Sequence, residues 1–435
     1  MRRMVTRGLR FTLAALLAAA ACGGRSSLLG GEPREVGPSG GAGGATSTSS
    51  SSSTSSSSGG PACALWEQTA AWAPTGFFDS QTSSAPALVA EDDAQTSYFL
   101  TLLGLDTLGA HWLWYAAVEP WSAPVGSFTE LSDTYLGLGN IDDYASGGPG
   151  KLLIPLPPGQ PQGVKFGSQY YYSAFPGVAR PLFVARRVTS AQSALEDLLG
   201  YEMVEGSRHR LAVRIVSPLW GDVEHSQAAA CAATPLATTA TGASDVFYFA
   251  AGSSRPLGGC DAPGDGFGPA TRLQVSYYQE PLGQVLGPLA EVIESGEIER
   301  VALTLDEGAL WVSYAVVTSP TEARLRVARV GLGGGLLAGP VDVATLSRPA
   351  QLSATRLGAR LALASLEKTD IGQTIVPVRV LTAEGAVESS FTIVPAAANG
   401  VSIVGEPSGK RLLVALTRGA KGPQEGVLVT RYGCL

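Results

Sequence analysis

Short apolar runs of strand length alternate with turn residues through most of this chain. Ala87–Ala90, Ser97–Leu103, His111–Val118, Gln169–Ala174, Pro181–Val188, Arg210–Val216, Asp245–Ala250 and Thr271–Tyr278 are such runs, rich in Val, Leu, Tyr, Phe or Thr. Gly, Pro, Asp and Ser stand between them. Half-buried pleated strands favour these residue types, and the turn clusters mark where each strand ends, so the pattern predicts an all-β body. Helical periodicity is weak. Its best candidate is Ser190–Leu199, with Gly200 as the stop.

The pattern repeats toward the C-terminus. Three segments align, beginning at Arg300, Gln351 and Gly400. In each, a strand meets a Gly turn, then an alternating strand, a loop and a third strand. The turn glycines are Gly308, Gly358 and Gly409, separated by 50 and 51 residues. The first two repeats run on into a fourth strand, whereas the last stops at Cys434-Leu435. A four-stranded unit of this length resembles a β-propeller blade. One such sheet is apolar on both faces and is stable only when neighbouring sheets cover it. The resemblance implies seven blades for residues 61–435. Tandem β-sandwiches are the alternative, because they also show short strands at regular spacing. The segment from Ala62 to Trp72 would supply the strand missing from the last repeat, as propellers commonly close by mixing both termini in one blade.

The first 60 residues have a different composition. Arg2, Arg3, Arg7 and Arg10 precede an apolar run from Phe11 to Leu17, and Ala18–Ala21 leads into Cys22-Gly23-Gly24. The apolar stretch is shorter than the roughly 20 residues of a spanning helix. These residues resemble a bacterial lipoprotein signal peptide, covering 1–21, with Cys22 as the lipidated residue and the mature N-terminus. Ala19 stands where that family often has Leu. Residues 22–60 are Gly, Ser and Thr-rich and include an unbroken Ser/Thr tract at 46–58. Such a segment cannot bury enough apolar surface to offset its ordering entropy, so it is expected to act as a flexible tether.

Charge and cysteine content narrow the function classes. The net charge of −7 becomes −11 once the four arginines of the signal are removed. Nucleic-acid binding rests on basic groups that neutralise phosphates, so an acidic chain without a basic cluster argues against it. The five cysteines are Cys22, Cys63, Cys231, Cys260 and Cys434. With Cys22 lipidated, four remain for an oxidising compartment, and four allow three pairings. Cys231 and Cys260 bracket a short loop and are expected to pair. Cys63 and Cys434 stand at the two ends of the body and are expected to join the closing strands. No Cys-x-x-Cys motif occurs, and neither a metal site nor a cofactor is expected.

Few residues suggest chemistry. Gly37–Gly41 fits G-x-S-x-G but lies in the tether, without the strand and helix a nucleophile elbow needs. Gly147–Lys151 departs from the phosphate-loop pattern. His111, His209 and His225 show no metal-ligand spacing, although His225 follows Asp222 and Glu224. The acidic turns at Glu91–Asp93, Asn140–Asp143 and Asp261–Gly266 lack the spacing of a calcium loop. Tyr170–Tyr172 with Trp112, Trp114, Tyr115 and Trp121 offer aromatic faces to a sugar or peptide. The reading is a non-catalytic binding or scaffolding propeller, held to the membrane by N-terminal acyl chains, with an envelope protein or glycan as partner. Gly23 after the cysteine, in place of an Asp retention signal, implies the outer membrane. A propeller hydrolase acting on polysaccharide or ester is the alternative. Carboxylates clustered at one channel mouth would favour the hydrolase, and an aromatic-lined channel would favour binding.

Overall fold

The fold is that of a computed structural model. It describes the strands and two turns between residues 63 and 224. From 229 to 434 it describes everything except 244–245, 262–265, 280–284, 348, 350, 396–397 and 418–425. The chain divides into two compact units, Met1–Ser57 and Ser58–Leu435, and every described residue lies in the second. The signal, Cys22 and the whole tether fall outside the described residues.

Described residues form strands in seven antiparallel sheets. The chain enters through β1 (Cys63–Trp72). Sheet 1 is β2 (Ala87–Ala90), β3 (Tyr98–Leu105), β4 (Ala110–Val118) and β5 (Phe128–Leu138). Sheet 2 is β6 (Ala145–Ser146), β7 (Leu152–Pro155), β8 (Val164–Phe166) and β9 (Tyr171–Ser173). Sheet 3 is β10 (Val178–Val188), β11 (Leu195–Glu205), β12 (Arg208–Ser217) and β13 (Gly221–Glu224), with β14 (Ala230–Ala232) also paired to β12. Sheet 4 is β15 (Thr238–Ala243), β16 (Val246–Ser253), β17 (Arg272–Gln279) and β18 (Val285–Ile293). Sheet 5 is β19 (Ile298–Asp306), β20 (Ala309–Val317), β21 (Glu322–Gly331) and β22 (Leu336–Ser347). Sheet 6 is β23 (Gln351–Leu357), β24 (Arg360–Lys368), β25 (Thr374–Leu381) and β26 (Val387–Ile393). Sheet 7 is β27 (Gly400–Gly405), β28 (Arg411–Thr417) and β29 (Val427–Cys434), completed by β1.

The first strands of six sheets pack side by side in series. β10 meets β15, β15 meets β19, β19 meets β23, β23 meets β27 and β27 meets β2, while sheet 2 lies against β10. The seven sheets thus form one series, six of them joined through their leading strands, which is the arrangement of a β-propeller. Tandem sandwiches, in which two sheets face each other around separate cores, do not fit it. The closing strand is also as expected: β1 pairs with β29, with Cys63 opposite Cys434.

Alternation along the second strands explains why the sheets stack. In β20, Leu310, Val312, Tyr314 and Val316 join a core with Leu273 and Val275 of sheet 4. Trp311, between them, packs on Leu361, Leu363 and Leu381 of sheet 6. In β28, Leu412, Val414 and Leu416 face sheet 6, whereas Leu413 and Ala415 face sheet 1. Period-2 alternation places successive side chains on opposite faces. A strand apolar at every position therefore needs a sheet on each side. The fourth strands have no such cover, and every residue of β22 but Leu346 is exposed or half-buried.

The turn glycines at the repeat spacing adopt positive φ: 72° at Gly308, 63° at Gly358 and 76° at Gly409. One expectation fails. The described part of Ser190–Leu199, from Leu195, is not helical but belongs to the strand Leu195–Glu205, hydrogen-bonded to both β10 and β12. Gly200 does not stop an element there. It lies within the strand, paired with Phe183 and Val213, where a Cβ would come 2.3 Å from the Phe183 ring. Both faces of β11 are buried, and Leu198 and Leu199 are both in the core.

Candidate functional site

A propeller presents its leading strands to its axis, so their side chains define what the centre offers. Among the described residues, the acids of these seven strands are Glu299 and Asp306, both on β19, and the aromatic is Phe183, which is buried. Seven residues of extended chain separate the two acids by about 23 Å, at about 3.3 Å per residue. Paired hydrolytic carboxylates stand about 5–10 Å apart. Asp306 is moreover held by two guanidinium groups, Arg329 at 3.2 Å and Arg356 at 3.3 Å. The described leading strands carry besides these Thr, Ser, Gln, aliphatic residues and the arginines Arg180, Arg300 and Arg356, and neither a carboxylate cluster nor an aromatic lining.

Three of these polar side chains have a defined task. Gln351 Oε1 accepts a hydrogen bond from Val401 N at 2.9 Å, Ser353 Oγ from Ile403 N at 3.1 Å, and Thr355 Oγ1 from Gly405 N at 2.9 Å. Each pair is 50 residues apart. The leading edge of β27 has no strand beyond it, so its outward N–H groups need acceptors. The alternating polar positions of β23 supply them, one repeat earlier.

Buried carboxylates link the sheets elsewhere. Glu202, 1% exposed, accepts from Leu236 N at 2.8 Å and lies 2.9 Å from His209 Nδ1. Its other oxygen accepts from Arg180 Nε, and Arg180 Nη2 reaches Leu236 O at 2.9 Å. Both the N–H and the C=O of the segment entering sheet 4 are thus caught by one ion pair of sheet 3. Glu367 performs a similar task, accepting from Ser365 Oγ at 2.6 Å and from Ser347 N at 3.2 Å, with Arg379 at 3.7 Å. Glu294 takes both Arg326 Nη1, at 2.6 and 2.7 Å, and the Tyr314 hydroxyl, at 2.7 Å. Burial, and then the hydrogen bond to Glu294, push the Tyr314 hydroxyl far above the ordinary tyrosine range. At the closing sheet, Arg431 lies 2.7 Å from Glu67 and donates to Pro120 O at 3.1 Å. Apart from Ser365 and Glu367, two residues apart on one strand, these groups show no sequence spacing that marks them, because each partner arrives from another strand or sheet.

The expected cysteine pairs are both present. Cys63 and Cys434 are bonded with Cα atoms 4.0 Å apart, and Cys231 and Cys260 are bonded with Cα atoms 5.8 Å apart. The second bridge packs with Phe267. Around that ring stand the guanidinium groups of Arg208, Arg210 and Arg255, at 5.6–5.9 Å from its centroid.

The aromatic faces proposed from sequence are used internally. Trp114 and Tyr115 are 2% exposed, and Trp112 and Trp121 pack on the same core as Trp114. His209 serves Glu202 as described. Gly37–Gly41, Gly147–Lys151, His225 and the acidic turns at Glu91–Asp93 and Asn140–Asp143 lie outside the described residues, as do the side chains of Tyr170–Tyr172. No group of three metal-ligating side chains and no helix long and apolar enough to cross a membrane occurs among the described residues.

No protein-family model and no curated protein matches the chain. Solved structures do. A protein of unknown function from Dyadobacter fermentans is similar at 11% identity and a TM-score of 0.45, covering 86% of this chain and 100% of that one. An ulvan lyase of a polysaccharide lyase family is similar at 9% identity and a TM-score of 0.45, covering 83% of this chain and 95% of that one. The lectin of Aleuria aurantia, solved with α-methyl-L-fucoside, is similar at 10% identity and a TM-score of 0.42, covering 72% and 94%.

Proposed function

We propose that the protein is a lipid-anchored β-propeller of the bacterial cell envelope that binds or scaffolds an envelope protein or glycan without catalysis. The observation that carries this reading is the cysteine arithmetic. Cys63–Cys434 and Cys231–Cys260 use every cysteine of the body, and Cys22, placed after an apolar run and four alanines, is left over. Two disulfides suit an oxidising compartment. A cysteine directly after a signal-like run suits acylation. Gly23 in the following position favours the outer membrane. A binding or scaffolding role is supported by how the described carboxylates are used: Glu202, Glu294, Asp306 and Glu367 all hold neighbouring strands together.

Cys22→Ser tests the anchor. Acyl burial contributes about 0.8 kcal/mol per CH₂, so several chains make attachment practically irreversible. The variant is expected in the soluble fraction or with its signal uncleaved, and the parent's N-terminal peptide is expected to begin at Cys22 and carry acyl mass. A processed, membrane-bound Cys22→Ser protein overturns the reading.

A further inference from the structure

The outer strands of sheets 5 and 6 leave apolar side chains uncovered at one end of the propeller. Leu336 and Leu337 open β22 and are 43% and 59% exposed, and Val387 opens β26 at 44%. Val341 lies between them, 36% exposed, and a Cβ on Gly385 would stand 4.0 Å from it, so the patch runs from one sheet to the next.

A chain of contacts places this patch. Leu332 N donates to Gly308 O at 3.3 Å, so the hairpin before Leu336 shares an end with the turn at Gly308. Glu307 next to that turn pairs with Arg356 at 2.9 Å, which brings in the turn at Gly358. A Cβ on Gly358 would come 3.1 Å from Gly409, adding the corresponding turn of sheet 7. Cys434 N donates to Lys410 O at 2.6 Å, and Cys434 is bonded to Cys63. The chain therefore enters the body at Cys63 from the same end as the patch. It enters along the outermost strand of sheet 7, which lies against β26, with the Tyr432 and Phe391 rings 4.8 Å apart.

We propose that Leu336, Leu337, Val341 and Val387 form a lipid-contacting edge by which the body rests on the membrane to which its N-terminus is tethered. The proposal builds on the anchor reading above. A flexible tether of about 38 residues has an r.m.s. span of about 30–35 Å, which keeps the body near its anchor. At that range the effective concentration of membrane is of millimolar order, so a weak apolar contact is sufficient. Glu384 and Glu388 border the patch and are exposed. Glu388 is moreover paired with Arg360 at 3.6 Å, so the border offers no unpaired cationic cluster to recruit anionic lipid, and the surface that fits is a zwitterionic headgroup layer.

The test uses the mature chain from residue 22 with Cys22→Ser, which has no acyl chains and no signal. Its co-sedimentation with phosphatidylcholine–phosphatidylethanolamine vesicles at millimolar lipid, the effective concentration the tether would impose, is compared with that of a Leu336→Asn, Leu337→Asn, Val387→Asn variant. The parent is expected to partition onto the vesicles, and the variant about tenfold less, the loss expected for several apolar side chains. Added phosphatidylglycerol is expected not to increase binding. Should the triple variant lose its disulfides or its cooperative unfolding, Leu337→Asn alone gives the same comparison. A parent that stays in the supernatant, or a variant that binds equally well, overturns the proposal. So does a parent dimer that the variant converts to monomer without lipid, since the patch is then an interface between copies. Failure of the anchor is read separately, from where Cys22→Ser appears in cells.

Discussion

Ser353 Oγ accepts the backbone N–H of Ile403 at 3.1 Å, across the boundary between sheets 6 and 7 and 50 residues along the chain. It is the middle rung of three, between Gln351–Val401 and Thr355–Gly405. A side chain here takes the place of the next strand. The leading edge of a propeller sheet cannot pair with another backbone, and the preceding repeat supplies acceptors at every second residue.

Ser353→Ala is therefore expected to cost about 1–3 kcal/mol, the penalty of stranding a buried N–H. Urea unfolding measures it. The flanking rungs should survive, so the midpoint should fall without a change in the slope.

Two glycines separate backbone conformation from close packing. At Gly405 a Cβ would lie 2.0 Å from the Arg356 carbonyl oxygen, a backbone atom with little room to retreat. At Gly308 nothing lies within 4 Å, but φ is +72°. Gly308→Ala is expected to cost about 1–2 kcal/mol for the left-handed conformation alone. Gly405→Ala should cost about 3 kcal/mol, the upper end for overpacking, and loosen the junction of sheets 6 and 7. Equal midpoints for the two variants would refute the packing argument.

Tyr314 makes stability fall in alkali. Burial, then its bond to Glu294, keep its hydroxyl protonated in the folded chain well past the pH where an unfolded tyrosine ionises. The folded state thus holds a proton that the unfolded state releases above about pH 10. The contribution is complete below that pH and is lost as pH rises above it, by up to about 1.4 kcal/mol per pH unit. Tyr248 and Tyr432, raised by burial, act in the same direction. Tyr314→Phe is expected to flatten this alkaline slope in urea midpoints, while lowering neutral-pH stability by about 1 kcal/mol through the lost hydrogen bond.

The Cys63–Cys434 bridge closes a loop of 371 residues. In the chain-entropy model its loss costs about 5–6 kcal/mol, an upper figure because unfolded chains keep some structure. Loss of Cys231–Cys260, which closes 29 residues, costs about 3–4 kcal/mol by the same model. Cys63→Ser with Cys434→Ser should be the more destabilised pair in thermal unfolding, and β1 should become the site of early proteolysis.

Local chemistry made much of this fold legible. Gly308, Gly358 and Gly409 mark left-handed turns because few other residues tolerate that conformation, and their spacing sets the repeat. The short final repeat and a cysteine near each end of the body pointed to the β1–β29 pairing and its bridge, since a sheet lacking its outer strand must find one. What surrounds a residue was decided only in three dimensions. Ser190–Leu199 reads locally as a helix, yet β11 is a strand, because the neighbouring strands and sheets cover both of its faces. The Arg180–Glu202–His209 cluster has no local signature, because Leu236 arrives from the next sheet to complete it. Sequence period records what each residue does to its own backbone. Tertiary packing decides which buried charge meets which strand, and so which polar groups are consumed in holding the propeller together.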